Sequence, residues 1–482
     1  MLFLDTHMWI FYFDRQGILQ SDGIDFIQDL PRFLVLLLAF QRFELKDWGV
    51  IPELNPSPSL VHEPHPPLPP RKEPTVRTRA ATSALAAEGL VEAQFKARHT
   101  AIEEFNLDGK TCLDINWKWN DPGEAKNQVD PTSITLKPRS FVSHQPHSLA
   151  GRATAVIDAS IEGLGRGVVC KISNPEVQRT NEGDILREIY DKCDKHDASM
   201  KKHVPEMLLY GDIRGSLTNR VRSMVGIWNW RGHRTMRVMV LIKMHPLTTL
   251  VGQDFVKAWL ETVKCAVFCT LLVQIFDRFL LAGHAFLWDH GIDHGDPSLW
   301  NLMYSTEHEC GVLGDYDLAI FLDRPRVRGT DRTGTTTFMA VKLLNKQYWD
   351  GLIKRQYHHE LEAFIWVLPF VFLRYQGQTA VPNTIVEEWM TSDYRQCHKE
   401  KSSFLLNLNE VEIRVQLDFK DVWPIAFELL SWVYAKEAPR KSDLSDSHAR
   451  AGFVQALESV PSLGYLDRLL EYLRLAPSPI PA

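Results

Sequence analysis

No Cys-x-x-Cys pair occurs in this 482-residue sequence, and its seven cysteines stand apart at Cys112, Cys170, Cys193, Cys265, Cys269, Cys310 and Cys397. An odd, scattered set excludes a disulfide framework and reads as reduced thiols of an intracellular protein. Cys265 and Cys269 share one helical face, but no second ligand pair stands near them, so a thiolate metal site is not expected. The opening MLFLDTHMWIFYFDRQG lacks both a basic start and a small-residue cleavage site, which excludes a secretory signal. Long apolar runs are missing too. Pro31 to Phe40 is too short to cross a bilayer, and the run from Cys265 to Phe276 is cut by Asp277 and Arg278. No membrane partner is therefore expected. The net charge of −6 is small for the length and gives no general attraction to nucleic acid or an acidic surface. Arg71-Lys72 and Arg440-Lys441 are too sparse for a nuclear signal, so the expected location is intracellular, cytoplasmic or nuclear. No internal repeat occurs.

What is present is ordinary globular composition, 45% hydrophobic and 24% charged, over a length that suits one two-lobed domain or two to three smaller ones. IFYFDRQGILQS reads as strand, turn at Gln16-Gly17, strand, and Asp22 to Phe43 shows helical spacing with Pro31 near the helix start. From Asn55 to Arg79 the Pro density sustains neither helix nor sheet and marks a linker or exposed arm. An Ala-rich helical stretch follows from Ala80 to Thr100. Between Ser148 and Ile172 two strands flank a turn at Gly163 to Gly167. Asn181 caps the next helix, whose Ile185, Leu186, Ile189 and Cys193 form an apolar stripe. RVMVLIKM is a buried strand, and after Pro246 the pattern is mostly helical. The stretch from Arg440 is polar, and helix resumes at Gly452 to Arg474. Strands, one helix, strands, then helices: the order suits an α+β fold of two lobes, the first β-rich and the second helical.

The chemistry concentrates in HGDPSLWNLMYSTEHECGVLGDYDLA, from His294 to Ala319. Phosphoryl transfer from a nucleotide needs an oxygen base for the accepting hydroxyl and oxygen ligands for Mg²⁺. Asp296 supplies the first; Asn301 and Asp315 supply the second at a spacing hard to reach by chance. His294 braces the loop rather than moving protons. Tyr316 takes a packing role, and Asp317 is either a further metal ligand or an acceptor for local amides. Upstream, Lys171 ends the apolar run GVVCKI, where a lysine is costly to bury without a partner. It is the candidate for the ATP phosphates, against the plain alternative of an edge-strand lysine facing water. The carboxylate that pairs with it should come from the next helix. Glu188, beside the apolar stripe, is favoured over Glu182, which at the helix start can serve the helix dipole instead. Gly151, in Ala150 to Thr154, is the one glycine available to a phosphate-covering loop, and Arg152 adds charge there.

GDYDLA, the later RTGTTTFMA (Arg332 to Ala340), YHHELEAFIWVLPF (Tyr357 to Phe370) and the N-terminal IFYFDRQGILQSDGIDFIQDLPRFLVLLLAF together resemble the fungal-type protein kinase family of mushroom-forming fungi. The resemblance runs from near residue 9 to about residue 435, with the Pro-rich segment as an unmatched insertion. It implies a protein-kinase-like fold, ATP and Mg²⁺, and a protein substrate phosphorylated on Ser or Thr. It implies that Lys171, Glu188, Asp296, Asn301 and Asp315 hold the roles above. Thr335 matches the threonine that packs on the catalytic base of Ser/Thr kinases, and Glu360 the acid that anchors the catalytic loop from the following helix. The implied division is 1–54 for an N-terminal part of the kinase region, 55–99 for a Pro/Ala-rich linker, 100–245 for the N-lobe, 246–440 for the C-lobe and 441–482 for a helical tail. Four positions depart from the pattern. Gly295 stands where many kinases carry an arginine that answers a phosphate on the activation loop, Ser298 where a lysine often stabilises the transferred group, Asp317 where glycine is usual, and Lys342 where glutamate is common. The chain starts abruptly, so an upstream part of the family's N-terminal region is expected to be missing. Two alternatives stay open: a pseudokinase, favoured by the thin glycine loop, Gly295 and Ser298, and a small-molecule phosphotransferase of aminoglycoside or choline kinase type, which shares His-Gly-Asp and Asp-Tyr-Asp.

Overall fold

The structure, a computed structural model, describes residues 2–43, 115–119, 134–141, 152–213, 218–227, 232–263, 283–324, 334–411, 414–437 and 446–460. The Pro-rich and Ala-rich stretches, Gly151, Cys112, Cys265 and Cys269 lie outside them. By packing, the chain divides into two compact units, Met1–Arg179 with Met207–Lys243, and Thr180–Glu206 with Met244–Ala482.

The first unit opens with β1 (Leu2–Leu4), β2 (His7–Trp9), the hairpin β3 (Phe11–Asp14) and β4 (Gly17–Gln20), β5 (Ile24–Asp25), and helix α1 (Leu30–Gln41). The hairpin forms as the sequence predicts, but its turn falls at Arg15-Gln16, one residue before the expected Gln16-Gly17, with Asp14 pairing Gly17. The helix starts later than its apolar spacing suggests. Asp25 Oδ1 accepts the amides of Ile27 and Gln28, and Asp29 caps α1, so the residues before Leu30 are spent in turns. Asp14 holds the hairpin by two hydrogen bonds from Arg222, at 2.8 and 2.7 Å.

The main element of this unit is an antiparallel sheet of β6 (Ile115–Trp119), β7 (Ile134–Phe141), β8 (Ala155–Ile161), β9 (Val168–Ser173), β10 (Met207–Ile213) and β11 (Arg237–Ile242), in the order β6-β10-β11-β9-β8-β7. Alternation along β9 sends Val168, Cys170 and Ile172 into the core cluster with Ile157, Leu209, Val238 and Val240. Lys171 therefore stands on the other face. It is buried, and it pairs with Val156 on one side and Met239 on the other. An edge-strand lysine facing water is excluded.

The second unit begins with α2 (Glu182–His196). Asn181 caps it by accepting the Gly183 amide at 2.9 Å, and Ile185, Leu186, Ile189 and Cys193 are buried as the stripe predicts. Its helices are α3 (Gly252–Val263), α4 (Gly283–Asp289), α5 (Tyr357–Arg374), α6 (Tyr394–Leu406), α7 (Trp423–Glu437) and α8 (Asp446–Glu458). The last begins inside the polar stretch, six residues before Gly452, at Asp446. The central helix α5 is buried from Tyr357 to Leu373. Around it Trp366, Trp389 and Phe404 form a cluster of tilted and edge-on rings. Each such fully buried aromatic contributes roughly 1.5–3 kcal/mol.

Two small ladders shape the loops of interest. β14 (Leu302–Ser305) pairs with β15 (Cys310–Leu313), with β12 (His245–Pro246) on the outer side of β14, and β13 (Ile292–Asp293) pairs with β16 (Ile320–Phe321). Residues 294–301 link β13 to β14, and residues 314–319 link β15 to β16. Pairing the strands on both sides brings these two loops together.

Candidate active site

In the loop after β13, His294 is fully buried and tied at both ring nitrogens. The Asp296 amide donates to Nδ1 at 3.3 Å, so the ring proton is on Nε2, which donates to the Gly314 carbonyl at 3.0 Å. The ring also meets Tyr316 edge-on at 4.8 Å. His294 thus joins the two loops and has no nitrogen left for proton transfer.

Gly295 adopts φ +84°, and a Cβ there would lie 2.5 Å from the Leu318 carbonyl oxygen. The sequence suggests a lost arginine; the backbone accepts only glycine. The amide of Gly295 donates to Asp293 Oδ1 at 3.0 Å. A buried guanidinium from elsewhere serves this loop. Arg355 forms ion pairs with Glu360 of α5 and, at 3.8 Å, with Asp293. Burial opposes its charge, but Glu360 and Asp293 outweigh burial and hold it firmly protonated. Glu360 accordingly reaches the loop through Arg355. Sequence reading missed Arg355, although a fully buried glutamate in so apolar a helix requires a cation partner.

Asp296 is held by Thr335. The Thr335 amide donates to Oδ1 at 2.7 Å and its hydroxyl to Oδ2 at 3.0 Å. Asn301 donates from Nδ2 to the Asp296 carbonyl at 2.8 Å. A carbonyl accepts only, so the amide orientation is fixed and Asn301 Oδ1 is the atom available to a cation. The Asn301 carbonyl in turn accepts the Gly314 amide at 2.8 Å, next to Asp315. Asp315 itself is left-handed, at φ 61° and ψ 74°, a costly state for a residue with a side chain and one that marks functional backbone. Ser298 is buried, and its Oγ has no hydrogen-bond partner among the described residues.

Of the two glutamates of α2, Glu182 is buried and accepts the Tyr316 amide at 3.0 Å. Glu188 takes two hydrogen bonds from Arg324, at 2.8 and 2.7 Å, with Lys192 at 4.0 Å. The carboxylate that reaches the Asp-Tyr-Asp turn is thus Glu182, and Glu188 is committed to a partner 136 residues away. The Tyr316 hydroxyl is buried, and burial, then Cys193, Tyr190 and Glu182, push its pKa well up. It stays neutral and packs. Asp317 is buried beside it.

The donor set fits Mg²⁺. Among the described residues no cluster of three or more His, Cys, Asp or Glu could hold a metal. Mg²⁺ bound with a nucleotide uses only one or two protein oxygens, the rest coming from phosphate and water, and Asn301 and Asp315 supply that number. Among the described cysteines, burial pushes Cys170, Cys193 and Cys310 up to about 12, which keeps these thiols protonated and unreactive. Among the described residues no helix is long and apolar enough to cross a membrane.

The family model described as fungal protein kinase matches residues 1–372 of the chain, starting earlier and ending sooner than the resemblance in the sequence. No curated protein matches. A solved structure, that of the Cydia pomonella granulovirus kinase PK-1, is similar at 12% identity and a TM-score of 0.35, covering 69% of this chain and 95% of that one.

Proposed function

The chain belongs to the fungal protein kinase family, and from that premise we propose that it transfers the γ-phosphoryl group of ATP to Ser or Thr hydroxyls of a protein. The observation that carries the reading is the Asp296–Thr335 pair, in which both carboxylate oxygens are oriented by one residue of the later segment. In the proposed reaction the accepting hydroxyl loses its proton to Asp296 as its oxygen bonds to the γ-phosphorus. The bond to the bridging oxygen breaks and ADP leaves. Lys171, held on the second face of its sheet, is assigned to the ATP phosphates. Asn301 Oδ1 and Asp315 would hold Mg²⁺, which supplies charge neutralisation when bound. Glu182, rather than Glu188, is assigned to position the Asp315 turn. Gly151 keeps its assignment to the phosphate-covering loop. Thr335, which holds both oxygens of Asp296, supports Ser or Thr as the acceptor through its match to the threonine that packs on the base of Ser/Thr kinases.

The test is incubation of purified protein with labelled ATP and Mg²⁺, with a generic protein substrate and, separately, with aminoglycosides and with choline. Label on protein Ser or Thr supports the reading. Label on either small molecule instead would replace it with a small-molecule phosphotransferase. Absence of a thermal shift with Mg-ATP would remove both and leave a scaffolding module.

A further inference from the structure

Trp300 is an unexpected residue at its position. It lies between Leu299 and Asn301 in a tight 3-10 turn of the catalytic loop. Both neighbours are buried, whereas Trp300 is 50% exposed. Water disfavours so much bare indole. The indole is nevertheless fixed. It meets Phe338 edge-on at 6.1 Å and Phe370 edge-on at 6.0 Å, and those two rings, both fully buried, pack on each other at 5.1 Å. A rigid aromatic plate with one open side rests on a hydrocarbon floor.

Its place relative to the base is set by the turn 335–338. The Phe338 amide donates to the Thr335 carbonyl at 2.9 Å. One end of that turn holds Asp296 through Thr335, and the other holds the Trp300 ring through Phe338. Trp300 also stands only four residues after Asp296 in the same loop, so the indole is a neighbour of the base by chain and by turn. We propose that Trp300 is a specificity-determining residue that receives a large apolar side chain of the protein substrate, beside the accepting Ser or Thr. This rests on the protein kinase reading and narrows it. A basic side chain would find one exposed ring, a weak cation–π site. Choline needs several rings around its ammonium, and here the other two rings, Phe338 and Phe370, are fully buried.

The test measures binding and transfer on the same peptides: Ser peptides flanked by Leu or Phe, by Lys, or by Ala, with Mg²⁺ and a non-hydrolysable ATP analogue for binding and with ATP for transfer. Choline is a further binding arm. Wild-type protein should favour the apolar-flanked over the Ala-flanked peptide about tenfold or more, mainly in KM. The ratio should fall to near one in Trp300→Ala and largely return in Trp300→Phe. A ratio does not depend on the active fraction, so a partly unfolded variant cannot imitate the result. Retention of the preference in Trp300→Ala, a preference for the Lys-flanked peptide or choline, or no binding of any peptide would overturn the inference. Binding with the predicted ratio but no transfer would remove the kinase reading and leave this inference standing. Transfer with no flanking preference would do the reverse.

Discussion

Replacing Gly295 by alanine should damage both stability and turnover, by amounts the geometry sets. The residue holds φ +84°, where a side chain costs about 1–2 kcal/mol. The added Cβ would also lie 2.5 Å from the Leu318 carbonyl oxygen and 3.1 Å from its carbon, against an ordinary contact of 3.4 Å or more. One backbone must move by about 0.9 Å. Neither is a flexible side-chain end, and overpacking of this kind costs roughly 1–3 kcal/mol. The sum, about 2–5 kcal/mol, lowers Tm by on the order of 10 °C, at about 2–4 °C per kcal/mol for a domain of this size. The displaced residue adjoins Asp296, and a shift approaching 1 Å at a catalytic group can cost about a hundredfold in rate. Differential scanning calorimetry and the initial rate of phosphoryl transfer check the two effects. Gly295→Arg, the residue common in other kinases, should be at least as harmful. If Gly295→Ala melts within a degree of wild type and keeps its rate, the left-handed backbone and the close approach to Leu318 are wrong. Gly295 would then be the vestige of a lost arginine.

Glu182→Gln should lower transfer roughly tenfold or more, because the charge that accepts the Tyr316 amide is weakened in a buried place; Glu188→Gln should change it little, since its partner Arg324 is half-exposed and such pairs are worth about 0–1 kcal/mol. Comparing kcat and KM for ATP in the two variants checks the assignment, and equal losses would undo it. Tyr316→Phe removes a buried hydroxyl that has no hydrogen-bond partner among the described residues and should raise Tm by a few degrees, for a gain of about 1 kcal/mol; a fall would mean that the hydroxyl is satisfied. Lys401, fully buried on α6, donates to the Met339 carbonyl at 2.7 Å and lies 4.5 Å from the Trp366 ring. Burial lowers its pKa to about 8, against the opposing pull of Cys397 and Glu362. The unfolded chain keeps the proton up to its ordinary value of 10.5. Between these two values the unfolded state binds more protons, so wild-type stability should rise with pH relative to Lys401→Met. Urea denaturation at several pH values checks the sign, and parallel curves would refute the burial of a charged lysine.

The sequence makes legible what depends on neighbours in the chain. The β3–β4 hairpin, the Asn181 cap and the apolar stripe of α2 all rest on local patterns of turn residues and periodicity. The spacing of Asp296, Asn301 and Asp315 is likewise written in one short stretch, and pairing of the flanking strands brings its two loops together. What stayed hidden depends on residues far away. Glu182 and Glu188 look alike on a helix until Arg324 takes one and the Tyr316 amide the other. Gly295 reads as a deletion of charge because the Leu318 carbonyl that forbids a side chain is not visible in sequence. Arg355 carries no motif at all, and only the buried Glu360 hints at it. Trp300 sits inside the most informative stretch of the chain, yet its meaning lies in Phe338 and Phe370.

The proposed reaction turns on Asp296 taking the proton of a protein hydroxyl. The most direct measurement is the initial rate of γ-phosphate transfer to protein Ser or Thr, at saturating Mg-ATP, for wild type and Asp296→Asn. The amide keeps the shape and can still accept from Thr335, but it is a far weaker base. The expected result is a fall of about a hundredfold or more in kcat with little change in the affinity for Mg-ATP. Transfer at the wild-type rate in Asp296→Asn would contradict it.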